Sequence, residues 1–242
     1  RVSPWYPSHA AGSRGSEAIL AAGALVGLDQ KRGELSAETR QALTVLWNEQ
    51  KSDGSWAWLD EFSLMPWESE DAAYWGTLQA AYAVAMAPSN YLENCERDSF
   101  CAVKLNKTKT FIRSKIDAML VEARDMSLHD QAWTLFVAKA WPGLMTASEQ
   151  QRVANAIVAI QSADGAWTQV SLGLGRGRNT TSAYATALMM LALRGISEDE
   201  PAFNRGKAWL LSHQDVSGAW LDVSLNAPSR TFNNGLFTDA AT

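Results

Sequence analysis

Three carboxylic acids within four positions are the side chains of this sequence that most suggest chemistry. They lie in the segment Glu68-Ser-Glu70-Asp71, which leads into a segment of helical character. Carboxylic acids are common donors and acceptors in general acid–base catalysis. They are also favoured in the first turn of any helix, because the positive end of the helix dipole attracts negative charge. The cluster is therefore either an acid–base group or an ordinary helix start.

The cysteines and histidines indicate chemistry less strongly than the carboxylic acids do. Cys95 and Cys101 are six positions apart in a polar stretch, so they either form a local disulfide or remain two thiols. His9, His129 and His213 are widely separated and lack the spacing of metal ligands, so we expect each on the surface or hydrogen-bonded inside. The sequence predicts no metal and no cofactor.

The composition excludes several classes of protein. The 242 residues are 47% hydrophobic and 19% charged, with a net charge of -5, which is typical of a folded globular chain. No basic stripe is available to neutralise phosphates, so nucleic acid is not an expected partner. The longest apolar runs are shorter than the roughly 20 residues that a membrane-spanning helix needs. No transmembrane segment is predicted.

A repeated pattern, Gln-x3-Gly-x-Trp, organises the chain. It occurs three times at identical offsets, and we call the copies the first, second and third Gln-Gly-Trp elements; they contain Gln50, Gly54 and Trp56, then Gln161, Gly165 and Trp167, then Gln214, Gly218 and Trp220. Each copy follows a stretch of helical periodicity. The glycines stand where helices should stop, since glycine accepts a left-handed conformation.

The helical segments are of two kinds that alternate along the chain. Some are amphipathic, and others are apolar on nearly every side and require burial all round. Eight segments are predicted, at 14–29, 36–50, 70–87, 107–125, 127–141, 146–161, 180–194 and 199–213. Thr146 with Glu149 and Ser197 with Glu200 have the spacing of capping boxes.

This alternation predicts an all-α protein, an αα-toroid of inner and outer helices. We expect one domain over residues 1–242 that supplies four helix pairs of this toroid. The segment from Phe237 to Thr242 resembles the first turn of a ninth, inner helix, and residues 88–106, which hold both cysteines, form an insertion.

The Gln-Gly-Trp elements resemble the QW motifs of squalene-hopene cyclases and their relatives, the class II terpenoid cyclases. The resemblance covers nearly the whole chain. In that family the motif ends the outer helices, and its glutamine and indole join one helix pair to the next. The resemblance therefore implies a structural role for the three elements.

The family's acid motif is Asp-x-Asp-Asp at the start of an inner helix, where the middle aspartic acid protonates a polyprenyl double bond. The matching positions here are Glu68, Glu70 and Asp71, so the resemblance implies Glu70 as the acid, tuned by its two neighbours. Two glutamates replace aspartates, and the added methylene displaces an acid whose geometry is critical. Aromatic side chains that would line a cavity and stabilise carbocations, or simply fill the core, are Trp67, Tyr74, Trp75, Tyr82, Trp133 and Tyr184.

Three functions follow from these observations. The favoured one is a squalene-cyclase-like toroid that is non-catalytic or altered and that binds a lipid or isoprenoid ligand or serves as an assembly scaffold. A complete member of the family has six helix pairs, so the resemblance implies that this chain is a partial (α/α)6 barrel. Additional helices or a partner subunit should then complete the ring. The alternative is a class II isoprenoid cyclase. A second alternative is a carbohydrate-active toroid that uses Asp53, Asp164 and Asp222.

Location is inferred from two features. The sequence begins at Arg1 without an initiator methionine, and its two cysteines are closely spaced. Both favour an extracytoplasmic location, and the resemblance to cyclase-like proteins that bacteria export implies the periplasm. The alternatives are a cytoplasmic or membrane-peripheral location. A zinc site of the protein-prenyltransferase kind is not expected, because no histidine lies near the cysteines.

Overall fold

The computed structural model describes residues 14–58, 72–121, 126–173, 179–196 and 201–222. Within these ranges the chain is all-α, and no strand occurs beyond an isolated bridge between Thr168 and Thr181. In chain order the helices are α1 (Arg14–Gln30), α2 (Ala37–Asn48), α3 (Ala72–Met86), α4 (Tyr91–Arg97), α5 (Ser99–Val121), α6 (Leu128–Ala140), α7 (Ala147–Ala159), α8 (Ala183–Leu193) and α9 (Pro201–Ser212). The expectation of an all-α chain is confirmed for these residues.

The segment 88–106, expected as an insertion before a helix starting at residue 107, is itself largely helical. It contains all of α4, and α5 begins at Ser99. Asp98 starts α5 because its side chain accepts a hydrogen bond from the Cys101 N–H at 2.8 Å and its carbonyl accepts one from Ala102 at 2.8 Å. The prediction of the start of this helix was wrong.

Cys95 and Cys101 form a disulfide that joins α4 to α5, with their Cα atoms 5.0 Å apart. A cavity of about 530 Å³ lies beside it, lined in part by Leu35, Arg40 and Trp47. At its edge the Trp47 indole donates to the Tyr91 hydroxyl at 2.9 Å. Burial raises the pKa of Tyr91, so this phenol stays protonated.

Capping side chains fix several helix starts. Thr146 and Glu149 form the predicted capping box, with the Glu149 N–H donating to Thr146 Oγ1 at 3.3 Å and the Thr146 N–H to Glu149 Oε2 at 2.8 Å. At the start of α2, the Asp29 carboxylate accepts from the Ser36 N–H at 2.6 Å and from Thr39 Oγ1 at 2.6 Å. Asp29 thus joins the end of α1 to the start of α2.

The chain forms two compact units. The first comprises Arg1–Arg124 with Val137–Leu144, and in it α1 packs on α2 and α3 while α3 contacts α5. Its fully buried side chains include Leu43, Leu78 and Ile112.

The second unit comprises Asp125–Phe136 with Met145–Thr242, and in it α8 packs against α9 and α7. The apolar helices α3 and α8 are buried along most of their length, as their all-round hydrophobicity predicts. No helix in the described ranges combines the length and the apolar character needed to cross a bilayer.

Candidate functional site

The glutamine of every Gln-Gly-Trp element closes its own loop. Its side-chain amide donates to the carbonyl of the glycine four positions later, at 3.3 Å for Gln50–Gly54, 2.7 Å for Gln161–Gly165 and 2.7 Å for Gln214–Gly218. Each glycine has a positive φ, of 93°, 96° and 89° in chain order, where a side chain would be strained. The shared spacing therefore produces one repeated local structure.

The tryptophan of every element caps the helix that precedes it. Its indole N–H donates to the carbonyl ten positions earlier, at 2.7 Å for Trp56–Leu46, 2.8 Å for Trp167–Ile157 and 2.7 Å for Trp220–Leu210. These carbonyls lie in the last turns of α2, α7 and α9, where helix carbonyls lack intrahelical partners. The indole thus adds a donor to a carbonyl near the helix end, which at Leu46 and Leu210 also accepts a backbone N–H, and packs a large apolar ring there.

The first two elements also bind an apolar helix through a threonine. The backbone N–H of Trp56 donates to Thr77 Oγ1 on α3 at 3.1 Å, and that of Trp167 donates to Thr186 Oγ1 on α8 at 3.0 Å. The third element is joined differently. Asp222, two residues after its tryptophan, accepts from the Ser182 hydroxyl at 2.5 Å and from the Tyr184 N–H at 2.8 Å at the start of α8.

Two of the elements bind a following helix as well. The Gln50 amide donates to the Lys104 carbonyl on α5 at 3.0 Å, and the Gln161 amide donates to the Ala202 carbonyl on α9 at 2.7 Å. The glutamine amides of the first two elements therefore join helices. The Gln214 amide of the third element is exposed and donates to the glycine within its own loop.

A buried polar cluster that the sequence analysis did not identify lies in the second unit. His129 and Asp130 stand in the first turn of α6, and Tyr184 in the first turn of α8. His129 Nδ1 lies 3.2 Å from Asp130 Oδ1, and His129 Nε2 lies 3.3 Å from the Tyr184 hydroxyl. Both side chains are buried, with 8% of the His129 side chain and 6% of the Asp130 side chain exposed.

The pKa of Tyr184 decides which hydrogen bonds this cluster makes. Burial raises the pKa of Tyr184 to about 12, against the opposing effect of the Trp133 indole and with a further rise from the charge of Asp130. The phenol is therefore protonated at neutral pH and can donate to His129 Nε2. Asp130 then orients the other ring nitrogen as a donor. The three side chains therefore form a chain of hydrogen bonds that fixes their orientation at the starts of α6 and α8.

The cluster has a weak signal in the sequence. His129 was expected on the surface or hydrogen-bonded inside, and it proves to be buried and bonded. Adjacent histidine and aspartate at the start of an apolar helix could have suggested it. Only the fold brings Tyr184 to them, since it is 55 positions away.

The predicted site residues lie in different parts of the molecule. Glu68, Glu70, Asp71 and Trp67 fall outside the described residues. Trp133 and Tyr184 are brought together in the second unit. The other three aromatic candidates are on α3 in the first unit, where Tyr74 packs near Phe111, Trp75 contacts the ring of Trp58, and Tyr82 is partly buried.

The three aspartates considered for carbohydrate chemistry serve local structure. Asp53 accepts from the Ser55 N–H at 3.0 Å, and Asp164 accepts from the Ala166 N–H at 3.2 Å. Asp222 holds the start of α8 as described above. Among the residues that the structure describes, no group of three or more potential ligands could hold a metal ion.

Comparison with known proteins adds no assignment. No protein-family model matches the chain, and no curated protein is significantly similar to it.

Proposed function

We propose that the chain is a squalene-cyclase-like αα-toroid domain of non-catalytic or altered kind, which binds a hydrophobic ligand or acts as an assembly scaffold. One observation carries the proposal: all three Gln-Gly-Trp elements use the glutamine and the indole in the same way to close a helix end. A repeated joint of this kind suits stacked helix pairs.

The apolar helices support the ligand part of the proposal. The sequences of α3 and α8 contain no charged residue, and α8 is made of alanine, leucine, methionine, tyrosine and threonine. In a toroid such helices would form the inner layer and surround an apolar interior. A lipid or isoprenoid molecule is the ligand class that such an interior would hold.

The proposal includes completion of the ring by additional helices or a partner subunit. Four helix pairs would leave apolar faces to be covered at the ends of an open stack. The third element supports this, because its glycine is exposed whereas the glycines of the first two are buried.

Native mass spectrometry of the protein purified from its source tests the proposal. A defined larger assembly, or a chain with an isoprenoid-sized adduct that is not converted to product, is the expected result. The matched control is the same protein after denaturation without reductant, which must release the assembly or the adduct. A bare chain that turns squalene into a cyclic product would contradict the proposal.

The alternative, an active class II isoprenoid cyclase, is favoured by the buried His129–Asp130–Tyr184 cluster. The support is that titratable side chains are buried and hydrogen-bonded together at the start of two apolar helices, a setting in which functional groups are often found. Incubation with squalene should then give product with the natural chain and none with Glu70→Gln. The matched control is Glu93→Gln on α4, which removes an exposed carboxylate paired with Arg97. Product formation that survives Glu70→Gln would remove Glu70 from the mechanism.

We also propose an extracytoplasmic location. The Cys95–Cys101 disulfide supports it, because such bonds persist in oxidising compartments and are rare in the cytosol. Protein taken from its source under non-reducing conditions should not react with a maleimide until a reductant is added. Immediate labelling of two thiols would argue against this location.

A further inference from the structure

The cavity of about 530 Å³ beside the Cys95–Cys101 disulfide is partly apolar. Leu35 and both cysteines are buried in its lining, and Phe100, which also lines it, is 58% exposed. Its size lies within the roughly 300 to 1,000 Å³ of sites that hold small molecules. The apolar lining can therefore cover the apolar part of a ligand.

Two hydrogen-bond donors line the same cavity and are not fully used by the residues that the structure describes. The Tyr91 hydroxyl accepts from Trp47 Nε1 at 2.9 Å, and its own proton has no acceptor among those residues. The guanidinium N–H groups of Arg40, on α2, bond to no described residue. A phenol and a guanidinium together suit a carboxylate, to which arginine makes charge-assisted bonds.

A carboxylate lines the cavity as well. Asp98 Oδ1 accepts from the Cys101 N–H at 2.8 Å, and Asp98 Oδ2 accepts no bond from the described part of the chain. No ion pair joins Asp98 to Arg40, although the structure describes both.

The pKa of Tyr91 shows that both charges lie near its hydroxyl. Burial is the main reason that this pKa is raised, and the bond from Trp47 opposes the rise. The charge of Asp98 raises the pKa further, and that of Arg40 lowers it. The cavity therefore contains a positive and a negative group that do not neutralise each other by direct contact.

We infer that this cavity is a binding site for a zwitterionic small molecule with an apolar body, either a free amino acid or a short peptide. The ligand's carboxylate bonds to Arg40 and Tyr91, and its ammonium group bonds to Asp98. Its apolar side chain packs on Leu35 and Phe100. The inference is independent of the proposed function, since it concerns another class of ligand and does not involve the Gln-Gly-Trp elements.

Charge favours a zwitterion over the other classes of small molecule. A simple anion is attracted by Arg40 and repelled by Asp98, and a simple cation has the opposite balance. A neutral apolar molecule would displace water from both charged groups and give them no partner. A ligand with both charges supplies a partner to each.

The rim of the cavity is held in place by contacts within the first unit. Asn94 Nδ2 donates to the Ser89 carbonyl at 3.1 Å, and both residues line the cavity. Ser89 and Asn90 have positive φ angles, of 62° and 54°, which residues other than glycine rarely adopt. The disulfide joins α4 to α5 beside them. A cavity that is already formed loses less conformational entropy when a ligand binds.

Isothermal titration calorimetry of the purified protein tests the inference with two zwitterionic probes, L-phenylalanine and L-phenylalanyl-L-phenylalanine. At least one should bind saturably, and the tighter of the two distinguishes a free amino acid from a peptide. The N-acetylated and the C-amidated forms of that probe each lack one charge. Both should bind about tenfold more weakly, because each loses a charge-assisted hydrogen bond.

Two substitutions assign the charges of the ligand to the protein. Arg40→Gln should weaken binding of the zwitterion about tenfold and should bind the amidated form at least as well as the natural chain does, since that form has no carboxylate. Asp98→Asn should weaken the zwitterion by a similar factor and leave the acetylated form unaffected. Asparagine retains the oxygen that accepts the Cys101 N–H, so the start of α5 is preserved.

Arg97→Gln and Asp117→Asn are the matched controls. Each removes the same charge from an exposed ion pair on α4 or α5, and neither residue is in the described lining of the cavity. Binding of the zwitterion by both controls at the natural affinity supports the site. The inference is overturned if neither probe binds the natural chain, if the acetylated and amidated forms bind equally well, or if the controls lose as much affinity as Arg40→Gln and Asp98→Asn. Tighter binding of D-glucose than of either probe would assign the cavity to a neutral polyol and would also overturn it.

Discussion

The second and third Gln-Gly-Trp elements have the same internal structure in different surroundings. In both, the glutamine closes the loop at 2.7 Å and the indole caps the preceding helix. The ring of Trp167 is fully buried, whereas that of Trp220 is partly exposed. The helix α9 covers the second element, and no described residue covers the glycine of the third.

This difference shows that the contacts that form an element are not the contacts that bury it. The loop and the cap need only residues within the element and the preceding helix, so they form in both places. Burial needs a following helix, which only one of the two elements has in the described residues. Equivalent substitutions should therefore cost much more in the second element than in the third.

The largest difference is expected for the tryptophans. Trp167→Ala should lower the free energy of unfolding by about 4 kcal/mol, since it removes a fully buried ring and leaves a cavity. Trp220→Ala should cost about half as much, because part of the ring is in water. Urea denaturation followed by circular dichroism measures both, and equal losses would contradict the comparison.

Substitutions of the two glycines should distinguish the free-energy cost of a packing clash from the cost of backbone strain. Gly165→Ala should cost about 3 kcal/mol, since the new Cβ is strained at positive φ and also meets Arg205. Gly218→Ala carries only the strain and should cost about 1 kcal/mol. The same denaturation series gives the values. A Gly165→Ala loss no larger than that of Gly218→Ala would show that α9 does not press on the element.

A titration tests the packing of the third element on α8, where Asp222 binds the Tyr184 N–H. The pKa of Tyr184 is raised to about 12 by burial, from an unfolded value near 10. The folded state therefore holds this proton more tightly, so its stabilising effect is complete below pH 10 and is lost as the pH rises towards 12.

The loss should be about 2 kcal/mol once the partial exposure of the ring is allowed for. Unfolding of the natural chain and of Tyr184→Phe, compared between pH 9 and pH 12, measures it, because the variant lacks this proton. Parallel pH profiles for the two proteins would mean that Tyr184 is not buried as described.

Substitutions of the two glutamines should differ less in their cost to the free energy of unfolding. Gln161→Ala should cost about 1.5 kcal/mol, because it removes bonds to two backbone carbonyls, of Gly165 and Ala202. Gln214→Ala should cost about 0.5 kcal/mol, since water can replace the bond of an exposed side chain. Equal costs in thermal denaturation would indicate that a helix covers both elements.

The smallest expected effect is a gain in stability from a substitution that adds a hydrogen bond to the first element. In the second element, Arg205 donates to Gln161 Oε1 at 2.5 Å. In the first, Lys107 stands at the matching position, and the buried Gln50 Oε1 accepts no bond from the described residues. Lys107→Arg should therefore raise the free energy of unfolding by about 0.5 to 1 kcal/mol. Lys109→Arg, on the same helix, is the control and should change little.

Most helices follow from local pattern, and the exception has a physical cause. Apolar periodicity placed α2, α7 and α9, and an all-round apolar run placed α1, within a few residues of where they lie. The helix α4 and the start of α5 were missed because they lie in a polar stretch that has no apolar period, where Asp98 caps α5. The disulfide was left as one of two alternatives, since the separation of two cysteines does not give the direction of their side chains.

The candidate site was harder to predict than the fold. The elements were visible because their spacing is local and is repeated three times. The His129–Asp130–Tyr184 cluster was not, since its members come from α6 and α8 and each taken alone resembles an ordinary core residue. Trp133 and Tyr184 were predicted as aromatic side chains that line a cavity or fill the core. The fold brings them to this cluster.

The sequence by itself determined the all-α class, the three Gln-Gly-Trp elements and the glycines that their loops require. Those features depend on hydrogen bonds and backbone angles within some ten residues, so the residue types suffice to specify them. Tertiary structure alone decided which elements are buried, where Tyr184 meets His129, and which atoms the glutamines reach on other helices. These contacts join residues more than 40 positions apart, and only the packing of complete helices brings them within bonding distance.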